Sequence, residues 1–179
     1  MTDLAILFAD ISRSARLYGI LGDAVARTKI TDCFEMITVV ITRHSGTVVK
    51  IIGDEIMCTL PSAEEAADAA CEMHEMLEEE ISRQTSATSI SLTIRVGIHF
   101  GPAILEAGDV FGDAVNVAAR MAEMAKGGQI ITTQSTVNEM SPIMRASARF
   151  IDRASVKGKK ETMDIYEVLW RQEDVTQIS

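Results

Sequence analysis

Two carboxylates stand where acids are costly. Asp10 ends the apolar run LAILFADI (4–11), and Asp54 lies in the Gly53-Asp54 turn between TVVKII (47–52) and EIMCTL (55–60). Burying an unpaired carboxylate is expensive, so Asp10 needs a partner. A hard cation such as Mg²⁺, held by one or two carboxylates plus substrate phosphates, is one such partner. Two cations held this way can clamp the attacking and leaving oxygens of a phosphoryl transfer. The plainer readings are a cap for the helix after Ile11 and an ordinary turn residue. Asn116 and Arg120 form a second constellation, four apart on one helical face among Val115, Val117, Ala118 and Met121. A ribose and a phosphate would satisfy them, and the planar Arg fork suits phosphate. A local acid, Asp113 or Glu123, would also serve Arg120. Lys50 interrupts the alternation of an apolar strand, and Asp109 lies in GDVFG (108–112), just before that helix. Singly, each reads as a solvated charge. Neither G-x-x-x-x-G-K-[ST] nor G-x-G-x-x-G occurs. His44, His74 and His99 share no metal-ligand spacing and read as structural.

The elements that must position these groups follow from periodicity. LAILFADI reads as a buried strand. Apolar steps from Leu17 to Ile41 predict helix over 12–44, broken near Gly22. Two β-rich runs around Gly53-Asp54 predict a hairpin. Pro61-Ser62 opens a helix with the stripe Ala66, Ala70, Met73, Leu77 and Ile81, and its wet side carries Glu78, Glu79 and Glu80. SLTIRVGIHFG (91–101) predicts a strand, 103–109 a short connection, 115–126 a helix closed by Gly127-Gly128, and 129–133 a strand. A short helix follows Ser135, and SVKGKKETMDIYEVLW (155–170) reads as a turn and a strand. The order βαββαβ, then further helix and strands, predicts an α+β protein. Its core is ferredoxin-like, with helices on one face of the sheet and additional C-terminal strands and helices. In such a core the first strand is central and pairs with the hairpin, so Asp10 and Asp54 are predicted to meet at one edge.

The bulk properties narrow the classes. A chain of 179 residues suggests one domain, and 47% hydrophobic with 24% charged residues excludes wholesale disorder. With 17 Lys+Arg against 26 Asp+Glu, the net charge of −9 argues against a nucleic-acid or anionic-membrane binder. A small anionic substrate would then need clustered cations or metal ions. Three cysteines without a Cys-x-x-Cys pair fit a reducing compartment. No signal peptide and no apolar run of about 20 residues is present, which predicts a soluble, cytoplasmic protein without membrane insertion.

The segments FADIS, VVKIIGDEIM, RVGIHFGP, DVFGDAVNVAARM and VKGKKE, in this order from LFADIS (7–12) to IYEVLW (165–170), resemble the class III nucleotidyl cyclase catalytic domain. The resemblance implies a catalytic domain over 1–170, with 171–179 a polar tail or the start of a linker. The first strand begins beside Met1, so a regulatory domain is expected after this stretch rather than before it. The resemblance implies that Asp10 and Asp54 hold two Mg²⁺ or Mn²⁺ ions, assisted by the Ile11 carbonyl. Lys50 and Asp109 match the pair that reads the purine. Asn116 matches the ribose-orienting residue, Arg120 the transition-state arginine, and Lys157 the contact to the terminal phosphates, with Lys159 close by. A Lys donor and an Asp acceptor complement adenine N1 and N6, whereas guanine presents the reverse pattern. The implied activity is adenylyl cyclase. ATP becomes 3′,5′-cyclic AMP and pyrophosphate by metal-assisted in-line attack of the ribose 3′-OH, in second-messenger signalling. Family sites form across a head-to-tail pair of domains, and this chain carries both sets of residues, so a homodimer with two shared sites is implied. The stretch from Pro102 to Asp109 is short, and a phosphate-contacting Arg of the mammalian arm has no counterpart.

Guanylyl cyclase and a catalytically silent nucleotide-sensing module are the alternatives. Diguanylate synthesis would need Gly-Gly-Asp/Glu-Glu-Phe at the hairpin, and this turn lacks the first Gly and the Phe. An RNA-binding ferredoxin-like sheet would need stacking rings, and aromatics are only 4% here.

Overall fold

The computed structural model describes residues 1–83, 92–155, 161–171 and 174. The chain runs β1 (Thr2–Ile11), α1 (Ser14–Leu21), α2 (Asp23–Arg43), β2 (Thr47–Ile52), β3 (Glu55–Leu60) and α3 (Ala63–Arg83). It continues β4 (Ile94–Glu106), β5 (Asp109–Phe111), α4 (Asp113–Met124), β6 (Ile130–Thr133), α5 (Gln134–Asn138), α6 (Pro142–Arg145), β7 (Ala148–Ser155) and β8 (Thr162–Val168). One mixed sheet has the order β2-β3-β1-β4-β6-β8-β7, with β5 paired to β4. Its first four strands are the ferredoxin-like core, and β6, β8 and β7 extend it. The long helical stretch breaks at Gly22, as its sequence predicts.

Strand side chains alternate between faces, and β1 uses both. Ala5, Leu7, Ala9 and Ile11 join the cluster of α2 and α3 residues that includes Ile37, Ile41, Ala66, Ala70 and Met73. Ile6 and Phe8 turn the other way, with Met57 and Ala103, against Ala114, Ala118 and Ala122 of α4. The core helices do share one face, but α4 covers the other, so helices flank the sheet on both sides. Gly97 is why α4 can lie so close: a Cβ there would stand 2.6 Å from the Ala118 carbonyl oxygen and would strike the Ala122 nitrogen.

The predicted connection over 103–109 is instead a hairpin. β4 runs on to Glu106, turns at Ala107-Gly108 with φ 52° and 77°, and β5 pairs back along it. Two consecutive positive φ values suit the right-handed twist of the flanking strands. Two further elements, α6 and β7, lie where the periodicity predicts none. Pro142 at the start of α6 and the Ser141 hydroxyl, which accepts from the Met144 N–H at 3.2 Å, are its helix-start signals.

The histidines pack or clamp, and the cysteines are all free. His74 stacks on Trp170 at 5.1 Å, and burial pushes its pKa down to about 4. His99 is buried beside the Thr133 hydroxyl at 2.8 Å. His44 links α2 to α3 between Glu65 (2.8 Å) and Glu72 (2.6 Å). Among the described residues, no helix is long and apolar enough to cross a membrane.

Candidate active site

The carboxylate centre is built by strand register. Asp10 lies opposite Glu55 of β3 and opposite Arg95 of β4, so three charged residues form one row across three strands. Directly opposed residues point to the same face. Asp10 follows Ile6 and Phe8 at steps of two, so this row opens toward α4. Asp10 does not cap the following helix: Arg13 holds the N-cap position without a side-chain cap bond. Its partner is Arg95, whose Nη2 donates to Asp10 Oδ2. Asp54 joins the row through the backbone, because the Ile11 N–H donates to the Asp54 carbonyl oxygen at 3.0 Å. Gly53, with φ 58°, makes the turn that carries Asp54 there. The Tyr18 hydroxyl donates a long hydrogen bond, 3.5 Å, to Asp54 Oδ1.

This corner has surplus negative charge. Burial raises the Glu55 pKa, the neighbouring Asp10 carboxylate raises it further, and Arg95 offsets part of the effect. Asp10, Glu55 and, from α4, Glu123 act on one another here against Arg95, while the Asp54 carboxylate meets the Tyr18 hydroxyl. Two aspartates and a backbone carbonyl at Ile11 are hard oxygen donors of the kind Mg²⁺ or Mn²⁺ takes. Among the described residues, no three His, Cys, Asp or Glu side chains form a closed cage. By its chemistry the donor set fits a hard cation only if other oxygens, such as those of a substrate phosphate, complete the shell.

The second half of the site is more exposed. Lys50 Nζ lies 3.1 Å from Asp109 Oδ2, which brings together the two charges that read singly as solvated. A bulge between Val48 and Lys50 does this: Val48 opposes Cys58, but Lys50 opposes Met57. The extra residue re-aims the lysine onto the face of Met57, which is the α4 face. Asp109 is held by the Val110 N–H at 2.7 Å, and that bond, then Lys50, lowers its pKa. On α4, Ala114, Val117, Ala118, Met121 and Ala122 face inward. Asn116 and Arg120 therefore point away from the sheet, and both are exposed. Arg120 Nη1 pairs with Glu123 at 3.2 Å, the local partner that its sequence offered. Lys157 and Lys159 lie outside the described residues.

Sequence reasoning missed Arg95 and Glu55. Their signal is a charge in each of two apolar strands, but only the pairing register reveals that both face Asp10. An open groove of about 690 Å³ lies beside Asp54, lined by Ile30, Phe34, Val39 and Ile51 among others. Arg27, Glu35 and Asp54 itself also line it, and the Lys50–Asp109 pair does not.

Comparison with known proteins shows the family of the chain. The pattern of the adenylate and guanylate cyclase catalytic domain matches residues 1–169. The chain is 33% identical to an adenylate cyclase of Anabaena cylindrica, over 92% of this chain and 36% of that protein. It is 29% identical to adenylate cyclase 1 of Rhizobium meliloti, over 78% of this chain and 23% of that one. The chain thus spans about a third or less of the length of these two relatives. Among solved structures, an adenylate/guanylate cyclase/hydrolase from Silicibacter pomeroyi superposes with a TM-score of 0.82 at 26% identity, covering 93% of this chain and 96% of that chain.

Proposed function

The chain belongs to the adenylate and guanylate cyclase catalytic-domain family, and on that premise we propose that it is an adenylyl cyclase acting as a homodimer. The observation that carries the choice of substrate is the Lys50–Asp109 pair, a donor beside an acceptor 3.1 Å apart. Lys50 donates to adenine N1 and Asp109 accepts from the N6 amino group. Guanine would set a donor against Lys50 and an acceptor against Asp109, leaving polar groups unpaired.

Asp10, Asp54 and the Ile11 carbonyl would hold divalent cations, Mg²⁺ or Mn²⁺, two in number. When bound, such ions acidify a hydroxyl and neutralise phosphate charge. Asn116 orients the ribose so that its 3′-oxygen lies in line with the α-phosphorus and the leaving oxygen. The new bond joins O3′ to the α-phosphorus as the hydroxyl proton passes to water, and the bond from that phosphorus to the bridging oxygen of the β-phosphate breaks, releasing pyrophosphate. Arg120 donates to oxygens where negative charge builds in the transition state, and a preorganised cation is worth most there. For that role it must leave Glu123 for the nucleotide. Lys157 is assigned to the terminal phosphates by the family resemblance alone.

Two features support sharing of the site between copies. Asn116 and Arg120 lie on the exposed side of α4, open to a second copy. Exposed apolar side chains also flank the Lys50–Asp109 pair: Ile52 on β2, and Leu105 and Phe111 on the β4–β5 hairpin. In a twofold pair one copy supplies the carboxylates and the other the base-, ribose- and phosphate-contacting side chains. A signalling role and a cytoplasmic setting follow from this activity as part of the same proposal.

Product analysis tests the assignment directly. The chain is incubated with ATP or GTP and Mg²⁺ or Mn²⁺. Cyclic AMP with pyrophosphate from ATP, and far less cyclic GMP from GTP, is expected. A preference for GTP would make it a guanylyl cyclase, and no product from either would make it a silent nucleotide-binding module.

A further inference from the structure

We propose that Tyr18 is a positioning residue for Asp54: its hydroxyl holds one carboxylate oxygen and so turns the other toward a divalent cation. The inference rests on the metal-binding reading of Asp54 given above. Tyr18 acts through Asp54 and touches neither the cation nor the nucleotide.

Asp54 needs such a residue because of where it lies. β2 ends at Ile52 and β3 begins at Glu55, so Asp54 belongs to the turn and to neither ladder. Its backbone is tied to the end of β1, where the Ile11 N–H donates to its carbonyl oxygen at 3.0 Å. That bond fixes the turn but selects no rotamer for the carboxylate. Among the described residues, the Tyr18 hydroxyl is the donor that meets the carboxylate, at Oδ1.

The fold supplies this hydroxyl from a fixed point. Tyr18 follows Leu17, the buried residue of α1, and its half-buried ring packs against the core that α2 and α3 share with β1. Its carbonyl accepts from the Gly22 N–H at 2.9 Å, which closes α1. Backbone and ring are thus both held, and a tyrosine has only two side-chain torsions to fix. The hydroxyl crosses from α1 to a turn 36 residues further along the chain. Tyr18 and Asp54 also border the same open groove, so the carboxylate has room to turn.

The chemistry of the pair suits the task. A carboxylate has two oxygens and about four lone-pair sites, so one oxygen can accept from a hydroxyl while the other meets a cation. A tyrosine hydroxyl is a neutral donor and can stay in place when the cation binds. At 3.5 Å the contact is long against the roughly 2.5–3.0 Å of an ordinary O–H···O bond, so it adds little to the stability of the fold. A small turn of the Asp54 side chain closes it. Its consequence is therefore direction rather than stability. Hydrogen-bond partners of metal-binding carboxylates typically matter by about 10–100-fold in metal affinity or activity.

Tyr18→Phe removes the hydroxyl and keeps the ring, so metal binding by this variant of the full chain tests the role. Mn²⁺ is titrated without nucleotide and the free ion followed by electron paramagnetic resonance, with thermal melts in EDTA. Tyr18→Phe should bind Mn²⁺ more weakly by on the order of tenfold, yet melt in EDTA with the unmodified chain. In ATP turnover it should need more Mn²⁺ for half-maximal rate and regain the unmodified kcat when Mn²⁺ is in excess. A merely structural role would not produce that recovery. Asp54→Asn is measured alongside. Should Asp54→Asn and the unmodified chain bind Mn²⁺ alike, the metal reading of Asp54 falls and this inference falls with it. Should Asp54→Asn lose binding while Tyr18→Phe binds as the unmodified chain does, the metal reading stands and the positioning role is overturned. A Tyr18→Phe chain that binds weakly but also melts well below the unmodified chain in EDTA, or does not fold, would assign the hydroxyl to the fold and overturn the role as well.

Discussion

The two halves of the proposed site are anchored in different ways. Asp10 and Asp54 are half-buried, locked by the β1 ladders and by the Ile11–Asp54 backbone bond, and one of them carries an arginine. Lys50, Asn116 and Arg120 are exposed on a strand end and an outward helix face, and Lys50 and Arg120 each pair with an acid of their own chain. The difference teaches how binding is divided. The carboxylate half is preorganised by the fold, so its side chains need little rearrangement. The reading half rests in weak, solvent-screened pairs that a nucleotide can replace at small cost.

Mutation should divide along the same line. The largest effect is expected at the carboxylates: Asp10→Ala or Asp54→Ala should abolish cyclic AMP formation in a folded protein. The melting curve sharpens the contrast, since only Asp10→Ala strips Arg95 of its partner and should lower the melting temperature more. Next comes Arg120→Ala, expected to lower kcat by on the order of 10²–10³-fold, the usual loss of a transition-state donor. Its KM and melting temperature should change little, because its partner Glu123 is itself largely exposed. Lys50→Glu with Asp109→Cys should shift the ratio of ATP to GTP turnover by on the order of 10²-fold. An unchanged ratio would break the contrast, because the exposed pair would then read nothing. The smallest effect on activity belongs to His44, outside both halves. Burial alone would lower its pKa, but Glu72 and Glu65 outweigh that and raise it. A raised folded-state pKa adds stability that is complete below the unfolded value of about 6.5 and fades as pH climbs through the folded value. His44→Gln should therefore melt lower than the unmodified chain below about pH 6.5, converge with it at higher pH, and turn over ATP normally.

What could be read from the sequence follows from what is local. The hairpin at Gly53-Asp54 was legible because its apolar runs and its turn pair are contiguous, and the break at Gly22 because a glycine interrupts a long helical period. The βαββαβ order also predicts the Asp54 turn beside the end of β1, where the Ile11–Asp54 backbone bond has it. The β4–β5 hairpin was not legible, since Ala107-Gly108 is not one of the dipeptides that announce such a turn. The face on which α4 packs was hidden for another reason. Periodicity tells which side of a helix is apolar, not which side of a sheet receives it, and Gly97 was the one local hint. The Arg95–Asp10 pair needs the register of strands 85 residues apart. Read from the chain alone, Lys50 is an interruption of alternation, and the bulge that explains it appears only once β2 and β3 are paired.

The division into two halves has a direct test in mixing. Asp54→Ala chains and Arg120→Ala chains are each expected to be inactive or nearly so alone. If one copy supplies the carboxylates and the other supplies Arg120, a mixed dimer holds one doubly defective site and one intact site. Cyclic AMP formation should then return on mixing, toward a quarter of the unmodified activity for random pairing at equal concentrations, since half the dimers are mixed and each has one good site of two. Heterodimers shown to form by exchange of differently tagged chains, yet still inactive, would contradict the shared site.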